Sequence, residues 1–268
     1  MKRFVLISLI AGGALAAPAT ARAQETGMQP LRHQHFESPQ HFALELRFSP
    51  YWPDVDSEPA LGGKTPLRDT FGAGALDGKN NPTETSNRVL FAVELDWQAF
   101  RIPHLGTIGP ALSLGYTSLS GQSYYTDGTR PASSQPSLEE TTLSVMPMYG
   151  IGVLRADVLW RDLGIPIVPY GKAGVGAGYW SISNPGGTAS YLGKSARGLS
   201  WGTHFALGGA LALDVIDRTA ARDLDTASGI NHTYFYFEYF WSTLNGFGDD
   251  KTLRVGTKTW AMGLAFEF

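Results

Sequence analysis

The sequence predicts an all-β chain: a single closed antiparallel transmembrane β-barrel of about eight strands, with ten as the alternative count. Three observations carry this. Eight segments alternate apolar with polar or small residues over lengths that suit membrane-crossing strands, roughly 9–11 residues each. The links between them are by turns long and short, as barrels place long loops on one side and turns on the other. Beyond the N-terminal region no run of about eighteen apolar residues offers a spanning helix.

The segments follow in order. The first, about 41–51, sets Phe42, Leu44, Leu46 and Phe48 against Ala43, Glu45, Arg47 and Ser49. The second, about 87–100, sets Val89, Phe91, Val93, Leu95 and Trp97 against Leu90, Ala92, Glu94, Asp96 and Gln98. The third, about 106–119, alternates Ile108, Leu112, Leu114 and Tyr116 with Gly109, Ala111, Ser113 and Gly115. The fourth, about 140–154, places Leu143, Val145, Tyr149, Ile151 and Val153 on one face. Pro147 falls on that face too; it has no N–H for a ladder, so a bulge is expected there. The fifth, about 165–180, is glycine-rich, with Ala173, Val175, Ala177 and Tyr179 opposing Tyr170, Lys172, Gly174 and Gly176. The sixth, about 198–214, opposes Leu199, Trp201, Phe205, Leu207 and Leu211 to Ser200, Gly202, His204, Ala206, Gly208 and Ala210. The seventh, about 231–243, sets Phe235, Phe237, Tyr239 and Trp241 against Tyr234, Tyr236, Glu238 and Phe240. The eighth alternates Trp260, Met262, Leu264, Phe266 and Phe268 with Ala261, Gly263, Ala265 and Glu267.

Long links at about 52–86, 120–139, 181–197 and 244–255 contrast with short ones at about 101–105 and 155–164. The link 215–230 is an exception, whose residues 215–224 read as a short helical turn. A hairpin hidden in 52–86 would raise the count to ten. All seven Trp fall towards a strand end. Trp52, Trp180, Trp201, Trp241 and Trp260 are expected at the outer rim, and Trp97 and Trp160 at the periplasmic rim, as membrane-interface aromatics.

Composition narrows the class. A net charge of −3 gives no reason to expect nucleic acid as a partner. With no Cys there is no disulfide, thiol nucleophile, Cys-ligated metal or acylated-Cys anchor. The first residues read as a cleaved secretory signal: Lys2 and Arg3, an apolar stretch to Ala17, then the small-x-small site Ala21-Arg22-Ala23. The expected organisation is a signal peptide at 1–23, a periplasmic extension at 24–40 and the barrel at 41–268.

The segment from Trp260 through Leu264 and Phe266 to Phe268 resembles the terminal assembly signal of bacterial outer-membrane proteins. That resemblance implies the barrel-assembly machinery and periplasmic chaperones as partners, and outer-membrane lipid and lipopolysaccharide as surroundings. Glu37-Ser38-Pro39-Gln40-His41-Phe42-Ala43-Leu44-Glu45-Leu46 and Gly229-Ile230-Asn231-His232-Thr233-Tyr234 resemble an uncharacterised Gram-negative barrel family of myxobacterial type. Its expected architecture is that of small OmpA/OmpX-like barrels. The resemblance implies the fold and an outer-membrane location and brings no activity.

An eight-stranded barrel has room inside for side chains and little more. The predicted lumen is filled: Tyr234, Tyr236, Glu238 and Phe240 face strands lined by small residues. It also carries Glu45, Arg47, Glu94, Asp96, Lys172, His204, Glu238 and Glu267. Buried charges need partners, so Arg47 and Lys172 are expected to pair with Glu94, Glu238 or Glu45.

No motif for chemistry appears. No His is followed two positions later by Ser, the pair used by barrel phospholipases and deacylases, and no Asp-x-His of the omptin kind occurs. His33-Gln-His35 lies in a polar segment where a solvated tail is the simpler reading, and His204 and His232 read as hydrogen-bonded structural residues. Asp54, Asp56, Asp249 and Asp250 read as solvated loop charges rather than a Ca²⁺ site. Gly171-x-x-Gly174-x-Gly176 follows no βαβ pattern. No catalytic residue, metal or cofactor is expected. The expected role is that of a non-enzymatic barrel with a largely filled lumen, structural or surface-binding through its extracellular loops, any extracellular ligand being unknown. A small channel or carrier is the alternative, and a lipid-modifying enzyme ranks last.

Overall fold

The computed structural model describes residues 41–71, 88–124, 136–191, 193–216, 218–250 and 252–268. The signal and extension at 1–40, and most of the second half of the first long link, lie outside the described residues.

Eight strands form one closed antiparallel sheet: β1 (Phe42–Pro50), β2 (Val89–Trp97), β3 (Gly106–Tyr124), β4 (Pro136–Arg155), β5 (Ile167–Asn184), β6 (Arg197–Ala212), β7 (His232–Leu244) and β8 (Thr257–Glu267). Each pairs with its sequence neighbours, and β1 with β8 closes the ring through pairs such as Leu46↔Leu264 and Phe48↔Met262. The backbone N–H groups of His41 and Phe42 donate to the Phe268 carbonyl at the seam. Closure removes both free edges, which in hydrocarbon would carry unsatisfied backbone groups at several kcal/mol each.

Short strands add to this ring without widening it. Phe100–Ile102 pairs with β3, Gly187–Thr188 with β5, and Ser190–Tyr191 with Lys194–Ser195. The strand count is eight, and among the described residues the 52–86 link holds no hairpin. It holds two 3₁₀ turns (Asp54–Ser57, Pro59–Leu61) and helix α1 (Pro66–Phe71) instead. The Asp56 carboxylate accepts the N–H groups of Leu67 (2.8 Å) and Arg68 (2.9 Å), capping α1 where orphan donors need an acceptor.

Strand ends define a loop end, with the links after β1, β3, β5 and β7, and a terminal end, where β1 begins and β8 finishes. At the terminal end sit α2 (Val158–Arg161), a 3₁₀ turn at Leu213–Val215 and α3 (Arg218–Ser228). The helical reading of 215–224 is therefore met and extended by a few residues.

Pro147 makes no bulge. The β3–β4 register is the same on both sides of it, from Leu114↔Met148 to Thr117↔Val145, and Pro147 keeps its place opposite Gly178 in the β4–β5 pairing. The register shift lies between Gln122 and Tyr124 instead. A proline costs one ladder bond without displacing the strand.

The polarity of the wall is inverted relative to a water-soluble barrel. Phe48, Phe91, Leu112, Leu114, Val175, Phe205, Leu207, Phe237 and Met262 are exposed on the outside, whereas Glu45, Arg47, Glu94, Lys172 and Glu238 are at most 3% exposed inside. On β4 the bulky face, Leu143, Val145, Ile151 and Val153, turns inward. It meets Tyr51, Val55, Leu67 and Phe71 from the first loop, which descend into the mouth.

Candidate functional site

The lumen charges come from β1, β2, β4, β5, β7 and β8, and alternation aims all of them inward. The register places Glu45 directly opposite Glu94 on β1 and β2. Two like charges side by side repel unless a cation is supplied. Lys172 supplies it from β5, on the far side of the ring. Its Nζ lies 2.6 Å from Glu45 Oε2, 2.8 Å from Glu94 Oε1 and 3.3 Å from Glu238 Oε2. Arg47 holds Glu94 at 2.6 Å and Glu238 at 3.0 Å. Arg155 holds Glu45 at 2.6 Å and Asp96 at 3.0 Å. These contacts span the barrel's width, so the network obstructs the lumen as well as neutralising it.

Arg155 is a member that sequence reasoning missed. It lies one residue past the end assigned to the fourth segment, on the same face as Tyr149, Ile151 and Val153, so a single further step of alternation would have found it.

Of the other lumen residues, Glu267 sits near the terminal end, accepting from Tyr234 Oη (3.0 Å) and Gln98 Nε2 (2.7 Å). His204 is fully buried, but it belongs to no ion pair among the described residues, and neither ring nitrogen has a hydrogen-bond partner. It packs between Tyr149 (ring centroids 4.3 Å apart) and Phe240 (5.6 Å), tilted by 34° to each ring. The expectation of a hydrogen-bonded His204 is therefore corrected: its place is set by aromatic packing. His232 does bond, through Nδ1 to Asp214 Oδ2 at 2.5 Å.

Above and below the charges the lumen is filled by shape. Tyr170, Tyr234 and Tyr236 pack against Ala210, Ala212 and Ala265, and Phe240 packs against Ala206 and Ala261. A Cβ at Gly263 would lie 1.8 Å from the Leu46 carbonyl oxygen and 2.9 Å from Tyr236 Oη, so this tyrosine needs the glycine beneath it.

Hydrogen bonds tie the links of the loop end to one another and to β6. Tyr51 Oη donates to the Val255 carbonyl at 2.5 Å, Asp54 N–H to the Gly256 carbonyl at 2.9 Å, and Ser200 Oγ to the Leu253 carbonyl at 2.6 Å. Burial pushes the Tyr51 phenol well above its usual range, so it stays a protonated donor.

The tryptophans divide between two duties. Trp97, Trp201, Trp241 and Trp260 are exposed on the outer wall. Trp52 and Trp180 pack on the apolar cluster at the loop end, and Trp160 packs on the cluster at the terminal end, edge-on to His232. For these three the membrane-interface reading is corrected: a Trp near a strand end covers the mouth as readily as it faces lipid. Of the terminal-strand residues, Trp260, Leu264 and Phe268 are exposed on the outer side and Phe266 is half-buried. Asp56 is taken up by the α1 cap rather than solvated.

No known protein family and no curated sequence matches the chain. Solved structures do. Ail of Yersinia pestis, in complex with the heparin analogue sucrose octasulfate, shares 11% identity over 85% of this chain and 97% of its own, with a TM-score of 0.37. The outer-membrane protein OprG of Pseudomonas aeruginosa shares 11% over 87% and 97%, with a TM-score of 0.40. The N-terminal β-barrel domain of OprF, from the same organism, shares 10% over 86% and 100%, with a TM-score of 0.31. The likeness is low in both sequence and superposition. No residue role passes through it.

Proposed function

We propose that the chain is an outer-membrane β-barrel with a closed lumen, serving a structural and surface-binding role through its loop end. The observation that carries this is the inversion of polarity. A continuous apolar exterior of this extent would be a liability in water, at about 25 cal/mol per Å² exposed, whereas the charges are withdrawn and paired inside. Bridges across the lumen and the tied loops support the closed reading over a channel or carrier.

The loop end would face outwards, and the terminal end the periplasm. Lipopolysaccharide and membrane lipid would contact the outer wall. Export through residues 1–23, an extension at 24–40, assembly through the outer face of β8, and kinship with the myxobacterial-type barrels belong to the same proposal. A non-enzymatic role, without metal or cofactor, belongs to the same proposal.

The chain has no Cys, so single cysteines report cleanly. Ser190→Cys, exposed at the loop end, should react with a membrane-impermeant maleimide on intact cells. Asp162→Cys, exposed at the terminal end, should react only after the outer membrane is opened. The reverse pattern would overturn the orientation, and recovery of the protein outside the outer-membrane fraction would overturn the location.

A further inference from the structure

At the loop end a cavity of about 520 Å³ opens between the first loop, the last loop and the ends of β7 and β8. Its volume lies in the range of small-molecule sites, about 300–1,000 Å³. It is larger than an inorganic anion needs and far smaller than a protein interface.

The lining is unusual in its charge. Arg88, Arg254 and Lys258 contribute to it, with Asp54 as the sole carboxylate. Glu58, which holds Arg254 Nε at 3.1 Å, offsets one more charge and leaves the set positive. Among the described residues, the terminal amino groups of Arg254 have no protein partner, and Lys258 is exposed with none. Arg88 is fixed rather than free: it donates to the Phe71 carbonyl at 2.7 Å and lies 3.7 Å over the Trp52 ring. A cation stacked on indole and tied to a carbonyl is already oriented before any ligand arrives.

The rest of the lining selects the kind of anion. Trp52 borders the cavity beneath the Arg88 guanidinium, Leu244 is buried in the apolar cluster below, and Thr243 and Asn245 complete the lining with hydroxyl and amide groups. Neutral hydrogen-bonding groups suit the hydroxyls of a sugar ring, and the free end of the Arg254 guanidinium suits sulfate or phosphate through forked charge-assisted hydrogen bonds.

We infer that this cavity binds a saccharide carrying sulfate or phosphate groups. The inference rests on the surface-binding reading and names the ligand class for it. Such a group can come from a lipid headgroup of the surrounding membrane or from a free saccharide, and the chemistry is shared.

The test is calorimetric titration of the folded barrel in zwitterionic detergent. The probes are a sulfated disaccharide, a phosphorylated disaccharide and the same disaccharide without charge. At least one charged sugar should bind, the neutral one at least about tenfold more weakly, the loss expected when charge-assisted bonds go unmade. Arg254→Gln and Lys258→Gln should each weaken binding about three- to tenfold. Arg101→Gln, at the opposite end, should not. Repeating the titration in nanodiscs with and without lipopolysaccharide separates the sources: competition assigns the site to the lipid headgroup, and its absence to a free saccharide. Failure of both charged sugars to bind, or equal binding by wild type and the Arg254→Gln/Lys258→Gln double variant, would overturn the inference. The cysteine labelling decides the surface reading separately, so the two can fail independently.

Discussion

Replacing Lys172 by Met tests whether the lumen network holds the barrel together. The side chain keeps its approximate length and loses its charge. In the wild type, Nζ stands within 3.3 Å of Glu45, Glu94 and Glu238, all essentially without solvent access. The variant leaves Glu45 beside Glu94 with only Arg155 and Arg47 to answer them. Removing one partner from a buried pair costs about 3–5 kcal/mol, because the surviving charge stays desolvated. Lys172 serves three carboxylates at once, so the loss should fall towards the upper end of that range. Urea unfolding in detergent micelles, followed by the shift between folded and heat-denatured mobility on gels, measures it. Adding Glu45→Gln should recover part of the loss, since it removes one of the stranded charges. A loss of about 1 kcal/mol or less, the worth of an exposed pair, would refute the idea that these bridges are dry and structural.

Other outcomes follow from local geometry. Gly263→Ala should prevent formation of the folded, heat-modifiable species, because its Cβ would overlap the Leu46 carbonyl at the seam; Gly209→Ala should be tolerated, since a Cβ there meets nothing within 4 Å. Asp56→Ala removes the α1 cap and should cost about 0.5–2 kcal/mol, seen as faster proteolysis within the first loop while the barrel itself stays resistant. Leu207→Arg puts a charge on the outer wall at a residue 64% exposed, and should cost up to about 2–4 kcal/mol in lipid bilayers if the position lies near the midplane; that cost should shrink in detergent.

Much of the fold was legible because two periods coincide in every strand: the pleat alternates the faces, and lipid and lumen demand opposite chemistry. Where both faces are informative, as in β1 with Phe42, Leu44 and Leu46 against Glu45 and Arg47, the inward side is unambiguous. On β4 it is not. Its outer face carries Met146, Met148, Gly150 and Gly152, while the bulky Leu143, Val145, Ile151 and Val153 turn inward against the first loop. Alternation identifies two faces, but which one meets the lumen depends on what fills the mouth.

The same limit explains the tryptophans. Trp52, Trp160 and Trp180 sit near strand ends like Trp97 and Trp241, yet they cap the interior. Position along a strand does not separate a lid from a girdle when loops fold inward. Arg155 was hidden by a boundary drawn one residue short. His204 read as a polar lumen group, but the side chains packed on it are rings rather than carboxylates, a matter of tertiary placement that no local pattern encodes. The cavity at the loop end was equally illegible, because Trp52 and Arg88 are far in the chain from Thr243 and Arg254 and meet them only once the ring closes.

The proposed closure of the lumen rests on its own charges and loops. Its most direct test is conductance of the purified barrel in a planar bilayer, with folding checked beforehand by its heat-modifiable mobility. A silent membrane is expected at neutral pH across the usual range of applied voltage. Stable, discrete openings from the folded wild-type protein would contradict it, and would make Lys172 and Arg47 the walls of a pore rather than its plug.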